Sequence, residues 1–177
     1  MNVCVYCASR ENVAAVYVEA AQRLGRWIAE NGHTLVFGGA TGGLMDVVSQ
    51  TVRDGGGYIV GVVPDAIVEM GRKSDLCDEL LHVGSLSERK ALMKEYADVC
   101  VALPGGIGTW DEVFDTVDES RLMGSKLVTV LVNVNGYYDG LVMQIDRMQQ
   151  EGLGCVNRDY IRVCDSVESC IAELGKI

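Results

Sequence analysis

Apolar residues along this chain follow two patterns that alternate from one end to the other. Short continuous apolar runs, typical of strands buried on both faces, predict strands at residues 3–7, 34–37, 58–63, 80–83, 99–103, 127–132 and 160–163. Between them, apolar residues recur with the helical period and predict helices at residues 14–31, 44–53, 87–96, 109–122, 138–151 and 167–174. Residues 65–78 fit neither pattern and are expected to be irregular.

Strands that alternate with helices predict an α/β fold with a parallel sheet of about six or seven strands and helices on both faces. In such folds, ligands bind outside the carboxyl ends of the strands. The length of 177 residues suits a single domain, residues 1–177. A chain of this length buries roughly 70% of its unfolded surface, so the core needs neither disulfides nor a metal ion.

Composition and charge restrict the kinds of molecule that the chain is expected to bind. Hydrophobic residues make up 49% and charged residues 23% of the chain, as in ordinary globular proteins. The formal net charge of −10 disfavours nucleic acid, whose binding depends on neutralising phosphates. A small anionic ligand held by a local site remains compatible with that charge.

The compartment is predicted from what the chain lacks. No apolar run approaches the ~20 residues of a membrane span, and no basic segment precedes the apolar N-terminus as in a signal peptide. The seven cysteines are odd in number and lie mostly in apolar segments, which indicates reduced core residues and a cytoplasmic location. Cys4 and Cys7 form a Cys-x-x-Cys pair within a strand. Burial is favoured over redox or metal chemistry for this pair, because no second ligand pair has zinc spacing.

Two glycine clusters, residues 38–43 and 105–108, each follow a predicted strand. Glycines let backbone N–H groups approach a ligand closely, and a helix N-terminus favours an anion. Neither cluster has Walker A or dinucleotide-fingerprint spacing, so P-loop ATP chemistry and NAD are not expected. Tight turns without a ligand are the alternative, but two clusters at one sheet edge favour a shared phosphate site.

Glu112 is the candidate acid or base, because it follows the second glycine cluster on the predicted first helical turn. The alternative is a capping box, Thr109-x-x-Glu112, in which the glutamate only satisfies the helix N-terminus. Residues 85–88 and 165–168 fit the same capping pattern.

Arg89 opens the helix after the fourth predicted strand, in the sequence Ser87-Glu88-Arg89-Lys90. A guanidinium can hold phosphate or ribose oxygens with two parallel hydrogen bonds. A solvated surface charge is the alternative for Arg89. Asp111 and Asp115 are interpreted as further acids or as solvated helix residues, the latter being favoured for Asp111.

The stretch from Pro104 to Glu112 matches Pro-Gly-Gly-x-Gly-Thr-x-x-Glu, the signature of the Lonely Guy family of phosphoribohydrolases, which this chain therefore resembles. An Arg-Lys pair on the preceding helix of that family matches Arg89 and Lys90. Further matches run in order through residues 4–9, 38–45, 60–64 and 133–139, so the resemblance covers roughly residues 1–155.

The resemblance implies a Rossmann-like fold, at least a homodimer, and hydrolysis of the N-glycosidic bond of a purine nucleoside 5′-monophosphate. The substrates implied are AMP or N6-substituted cytokinin nucleotides, and the products are a free base and ribose 5-phosphate, with no metal or cofactor required. It implies that Glu112 and Arg89 are the catalytic pair. The residues implied to bind phosphate or line the nucleotide site are Gly105, Gly106, Gly108, Thr109, Gly39, Ser9 and Lys90.

Other functions remain open beside the hydrolase. Members of the family were long labelled lysine decarboxylases, but a pyridoxal-phosphate enzyme needs a Schiff-base lysine that nothing here marks. A nucleotide or molybdenum-cofactor carrier would use similar glycine loops without catalysis, and a nucleotide-binding regulator would keep the pocket without turnover. Residues 117–122 are more polar than the family's stretch near the base pocket and dimer contact.

Overall fold

A parallel seven-stranded sheet forms the centre of the computed structural model, which describes residues 1–154 and 159–177. The strand order is β4-β3-β2-β1-β5-β6-β7, and every neighbouring pair is parallel. The strands are β1 (Asn2–Tyr6), β2 (Thr34–Phe37), β3 (Tyr58–Pro64), β4 (Glu79–Val83), β5 (Val99–Ala102), β6 (Thr129–Val132) and β7 (Ile161–Cys164).

Helices connect these strands and cover both faces of the sheet. They are α1 (Ala15–Glu30), α2 (Gly43–Asp54), α3 (Asp65–Glu69), α4 (Leu86–Tyr96), α5 (Ile107–Met123), α6 (Asp139–Gln150) and α7 (Val167–Leu174), with a 3-10 turn at Val134–Gly136. None of the described helices is long and apolar enough to cross a membrane.

Alternate residues of each strand face two separate apolar cores. In β1, Val3 and Val5 pack into the core shared with α1, α2 and α7, whereas Cys4 and Tyr6 pack into the core shared with α4, α5 and α6. Both faces of the strands are therefore buried, which explains the continuous apolar runs in the sequence.

The chain reverses its direction across the sheet between β1 and β5. From β1 the strands progress outward through β2 and β3 to β4, and from β5 they progress the other way through β6 to β7. The loops that follow β1 and β5 therefore diverge to opposite faces and leave a crevice between them. This is the place where open parallel sheets bind their ligands.

The predicted α/β class and the predicted elements are confirmed, with boundaries within two residues of those expected. The expectation of irregular structure at 65–78 is wrong for its first part, because α3 forms there. The part that follows is docked on the loop after β2 through a bridge between Ala40 and Lys73. Five residues of α3 are too short to produce a readable helical period.

The predicted capping boxes are confirmed only in part. The Ser85 hydroxyl accepts the backbone N–H of Glu88 at 3.1 Å, as predicted. The box at residues 165–168 is wrong by one residue, since Ser166 caps α7 together with Ser169. The box at Thr109 and Glu112 is also wrong, because α5 begins earlier.

Gly43 shows why the first glycine cluster is needed structurally. Its φ is +55°, and a Cβ there would overlap the carbonyl oxygen of Arg10 and lie 2.7 Å from that of Ala8. The neighbouring Leu44 N–H donates to the Ala8 carbonyl at 2.8 Å. The start of α2 is thus packed directly against the loop after β1, which only glycine permits.

Replacing Gly43 with alanine is expected to lower the free energy of unfolding by about 1–3 kcal/mol or more, because it adds backbone strain to a steric overlap. Gly140→Ala is the matched control, since Gly140 lies in α6 with nothing within 4 Å of an added Cβ. That control should be neutral or gain about 0.5–1 kcal/mol. Urea denaturation of both variants measures the difference, and equal stabilities would contradict this account of the loop.

Candidate active site

A cavity of about 450 Å³ opens at the carboxyl ends of β1, β2 and β5, at the point where the strand order reverses. Its walls come from the loops after these three strands, from the starts of α2, α4 and α5, and from α3 with the segment that follows it. The polar and charged side chains that line it are Ser9, Arg10, Arg72, Arg89, Thr109 and Glu112. Both glycine clusters contribute to it, as the sequence predicts.

Glu112 and Arg89 form an ion pair inside this cavity. Arg89 lies in the first turn of α4 and Glu112 in the second turn of α5, one turn later than predicted, because α5 begins at Ile107. Their side chains are 17% and 8% exposed. Burial raises the pKa of Glu112 above its ordinary value, and the opposing charge of Arg89 only partly offsets that effect.

Gly38, at the end of β2, makes room for the guanidinium of Arg89. A Cβ at Gly38 would lie 3.1 Å from Nη2 and 3.2 Å from Cζ of Arg89. The Nε atom of Arg89 is buried and has no hydrogen-bond partner among the described residues. An unsatisfied buried donor costs free energy, so placing the guanidinium here is unfavourable apart from its bond to Glu112.

The loop between β5 and α5 is fixed through its carbonyl groups. The hydroxyl of Tyr138 donates to the Leu103 carbonyl at 2.7 Å, and the hydroxyl of Tyr137 donates to the Gly105 carbonyl. Between them, the Ala8 N–H donates to the Pro104 carbonyl at 3.2 Å. Three consecutive carbonyl groups are therefore held away from any ligand.

The N–H groups that follow this loop are open. The first helical bond of α5 runs from the Trp110 N–H to the Gly106 carbonyl at 3.1 Å, so the N–H groups of residues 106–109 have no partner within the helix. Gly106, Gly108 and Thr109 all line the cavity. The hydroxyl of Thr109 likewise has no hydrogen-bond partner in the part of the chain that the structure describes. Open N–H groups at the positive end of a 17-residue helix have the geometry that favours an anion.

Of the remaining predicted binding residues, some reach the cavity and others lie beneath it or turn away from it. Ser9 lines the cavity. Gly105 packs beneath the site, where a Cβ would overlap Thr109, and Gly39 packs against the backbone of Val62. The amine of Lys90 is turned to Asp111 at 3.0 Å and is not brought to the cavity wall.

Three cavity residues with ionisable side chains were not predicted. Arg10 lies in the loop after β1, four residues beyond Tyr6, so its place near a strand end could have marked it. Arg72 lies in the segment expected to be irregular, which carried no signal. The thiol of Cys7 lines the cavity, but burial raises its pKa so far that it stays protonated at neutral pH.

The Cys-x-x-Cys pair is not a reactive centre in this structure. Cys4 packs into the core on the α5 side of the sheet and Cys7 into the core on the α2 side. Within residues 1–154 and 159–177, no group of three or more His, Cys, Asp or Glu side chains could hold a metal ion.

Comparison with known proteins assigns the family. The family model described as "possible lysine decarboxylase" matches residues 45–174. A cytokinin riboside 5′-monophosphate phosphoribohydrolase (LOG) of Arabidopsis thaliana is 35% identical over 151 residues, which cover 85% of this chain and 71% of that protein. The chain belongs to the Lonely Guy family.

Another relative named as a member of the Lonely Guy family is longer than this chain. A probable cytokinin riboside 5′-monophosphate phosphoribohydrolase of Oryza sativa subsp. japonica is 41% identical over 151 residues. The match covers 85% of this chain and 61% of the rice protein, so the chain spans less than two thirds of that relative's length.

Solved structures show the same fold for the Lonely Guy chain. A molybdenum cofactor binding protein from Rippkaea orientalis superposes with a TM-score of 0.73 at 20% identity, covering 99% of this chain and 95% of that one. The molybdenum cofactor carrier protein from Chlamydomonas reinhardtii gives 0.73 at 22% identity, covering 99% and 96%. At these identities the likeness concerns the fold alone.

In this Lonely Guy protein, the helices that carry Arg89 and Glu112 are joined by ion pairs. Lys90 bonds Asp115 at 3.1 Å as well as Asp111. Lys94, one turn further, bonds Asp115 at 2.5 Å and also Glu119. The Lys94 side chain is 8% exposed, so its charge is poorly hydrated and depends on these carboxylates.

Removing the Lys94 charge should loosen the contact between α4 and α5. Lys94→Met is expected to lower the free energy of unfolding by about 1–3 kcal/mol at pH 7, because charged hydrogen bonds to Asp115 and Glu119 are lost. Lys126→Met is the matched control, since Lys126 is exposed and makes no ion pair in the described structure.

The loss of unfolding free energy in Lys94→Met should also depend on pH. Partial burial acts to raise the pKa of Asp115, but the bonds from Lys94 and Lys90 outweigh it and hold the pKa below its ordinary value. The stabilisation is therefore present above the unfolded carboxyl pKa and is lost as pH falls through the folded one. Urea denaturation at pH 7 and in acid checks this, and a pH-independent difference would contradict it.

Proposed function

We propose that this protein hydrolyses the N-glycosidic bond of a purine nucleoside 5′-monophosphate, releasing the free base and ribose 5-phosphate. The observation that carries the proposal is the buried Arg89–Glu112 pair in the same cavity as the open N–H groups of α5. The names of the relatives point to cytokinin riboside 5′-monophosphates, which places AMP and its N6-substituted derivatives in the substrate class.

The 5′-phosphate is assigned to the start of α5. Three N–H groups of residues 107–109, the N–H of Gly106 and the Thr109 hydroxyl supply donors there, and the helix dipole favours the charge. Because the carbonyls of the preceding loop are tied to Tyr137, Tyr138 and Ala8, the donors keep their positions without a ligand. A preorganised site does not lose binding energy to ordering its own loop.

Glu112 is assigned to the reacting carbon of the ribose. Cleavage of the bond between C1′ and the base nitrogen sends the bonding electron pair to the base and leaves an oxocarbenium-like sugar, which a carboxylate stabilises. A water molecule then attacks C1′ and gives its proton to Glu112 as general base. Transfer of that proton from Glu112 to the departing base nitrogen releases the neutral base and restores the carboxylate. Glu112 lies six residues into α5, so it faces the ribose when the phosphate sits at the helix start.

Arg89 acts on both the carboxylate and the substrate. Its Nη2 bonds Glu112 and favours the charged form of that carboxylate, which opposes the effect of burial on its pKa. Its Nη1 makes no hydrogen bond among the described residues, is not a buried atom, and can donate to a ribose oxygen. The combination explains why an arginine, with several donors in one plane, suits this position better than a lysine would.

The other candidate functions have less support in the site. Of the lysines that the structure describes, none lines the cavity, so a Schiff base with pyridoxal phosphate has no attachment point there. A carrier protein has no need for a buried carboxylate beside an anion site. The negative charge of that carboxylate repels phosphate and weakens binding, so it is an advantage only where the carboxylate takes part in a reaction. The homo-oligomer and the cytoplasmic location stay predictions.

Glu112→Gln tests the proposal directly. Loss of the carboxylate should lower kcat for base release from AMP by at least about 100-fold, because it removes general base catalysis and charge stabilisation together. AMP binding should persist, since the phosphate donors are unchanged. Chromatography of free base and ribose 5-phosphate measures the rate.

Glu30→Gln is the matched control, because Glu30 is an exposed glutamate at the end of α1 and makes no ion pair in the described structure. Its activity should equal that of the wild type. Unchanged turnover in Glu112→Gln would remove Glu112 from the reaction.

The pH profile follows from the raised pKa of Glu112. The reaction needs the ionised carboxylate, so kcat/KM should fall as pH drops through that pKa. Because burial raises the pKa above the ordinary glutamate value, the fall should occur at a higher pH than for an exposed glutamate. Rates of base release from AMP between pH 4 and pH 8 give the midpoint, and a midpoint below about 4.3 would contradict the assignment.

A further inference from the structure

The start of α5 supplies less positive charge than the 5′-phosphate assigned to it requires. The end of a helix is equivalent to roughly half an elementary charge, whereas a phosphate monoester carries about −1.5 to −2 at pH 7. The carboxylate of Glu112 lies in the same cavity and repels a phosphate, and Arg89 is already paired with that carboxylate. A further cation beside the phosphate would offset this deficit.

Two arginines that line the cavity have no carboxylate partner. Among the arginines and lysines that the structure describes, four make no ion pair, namely Arg10, Arg26, Arg72 and Lys126. Of these four, Arg10 and Arg72 line the cavity. In a chain with a formal charge of −10, they are the cavity cations whose charge no described carboxylate compensates.

Arg72 is held on the β2 side of the cavity. Its guanidinium donates to the Thr41 carbonyl at 2.8 Å, and a Cβ at Gly42 would lie 3.4 Å from its Nη2 atom. Thr41 and Gly42 belong to the loop between β2 and α2, and β1 lies between β2 and the strand β5 that leads to α5. Arg72 is therefore fixed at the start of α2.

Arg10 lies on a loop that is bonded directly to the loop before α5. The two loops follow the neighbouring strands β1 and β5, and the Ala8 N–H donates to the Pro104 carbonyl at 3.2 Å. Arg10 follows this bond by two residues on one segment, and Gly106 follows it by two residues on the other. Arg10 and residues 106–109 line the same cavity.

The side chain of Arg10 is exposed and makes no hydrogen bond or ion pair among the described residues. Its donors lie in one plane and match two oxygens of a phosphate. We propose that Arg10 is a ligand of the 5′-phosphate and supplies the charge that the start of α5 lacks. This proposal rests on the proposed function.

The contact between Arg10 and the phosphate acts on binding. The phosphate takes no part in the bond that breaks, so its contacts are the same in the substrate complex and in the transition state. Uniform binding of this kind lowers KM without raising kcat. Arg10 therefore sets how tightly a nucleotide is held and favours it over a nucleoside, which has no phosphate.

Kinetics with AMP on the wild type, Arg10→Gln and Arg10→Lys test this proposal. Arg10→Gln should raise KM roughly 10- to 100-fold, as expected for one charged hydrogen bond, while kcat stays close to that of the wild type. Arg10→Lys should recover part of the affinity, because it keeps the charge but not the planar pair of donors.

Arg26→Gln is the matched control for these kinetics, because Arg26 is exposed on α1 and also unpaired in the described structure. Its KM and kcat should equal those of the wild type. An unchanged KM in Arg10→Gln, or a loss confined to kcat, would overturn the proposal.

The affinity for ribose 5-phosphate distinguishes Arg10 from Arg72. Isothermal titration calorimetry should show roughly 10- to 100-fold weaker binding of ribose 5-phosphate to Arg10→Gln. Arg72→Gln should lose less affinity, since Arg72 is held at the start of α2. An equal or larger loss in Arg72→Gln would overturn the assignment to Arg10.

These dissociation constants do not depend on turnover, so they separate this proposal from the proposed function. If the wild type releases no base but ribose 5-phosphate binding still requires Arg10, the proposed hydrolysis is wrong and the phosphate ligand is supported. If base is released and Arg10→Gln binds ribose 5-phosphate as tightly as the wild type, the phosphate ligand is wrong and the proposed function stands.

Discussion

A carboxylate that is almost fully removed from water is unfavourable unless a cation is held against it, and Glu112 with Arg89 satisfies this condition. The two side chains come from different helices, so the ion pair exists only if α4 and α5 are kept in one alignment. The lysines of α4 and the aspartates of α5 hold that alignment. The vacant space above Gly38 lets the guanidinium reach the pair.

The proposed anion site depends on a constraint other than the ion pair, namely the hydrogen bonds that fix the backbone of the loop before α5. Because the carbonyls of Leu103, Pro104 and Gly105 are bonded within the protein, the polar backbone groups that this loop and the start of α5 leave open are N–H groups. The topology then brings this site beside the ion pair, because both lie at the crevice where the strand order reverses. In the proposed reaction, phosphate binding and bond cleavage thus depend on two sets of contacts that share few residues.

Most of the sheet could be predicted because its strands are buried on both faces and leave unbroken apolar runs. The Arg89–Glu112 pair was predicted by resemblance to a family signature, since spacing alone allowed a capping box. The capping hypothesis failed because Gly106, without a side-chain cap, begins α5 earlier than Thr109. The residue at which a helix begins depends on backbone geometry. Glycines permit that geometry, but their presence in the sequence does not predict where it occurs.

Arg72 and the true position of Lys90 could not be predicted, for different physical reasons. Arg72 reaches the cavity through backbone bonds between segments about 30 residues apart in sequence, which leave no local pattern. Lys90 follows Arg89 directly, but neighbouring helical residues point about 100° apart, so it turns to α5 instead of the cavity. Side-chain direction thus separates two residues that the sequence pattern treats as one pair.

The most direct test of the central claim is to identify the products formed from a nucleoside 5′-monophosphate. Purified protein is incubated with AMP and with GMP, and free base, ribose 5-phosphate, nucleoside and inorganic phosphate are quantified over time by chromatography and mass spectrometry. The account predicts free base and ribose 5-phosphate in equal amounts, with no nucleoside. Formation of nucleoside and phosphate, or tight binding of both nucleotides without any product, would contradict it.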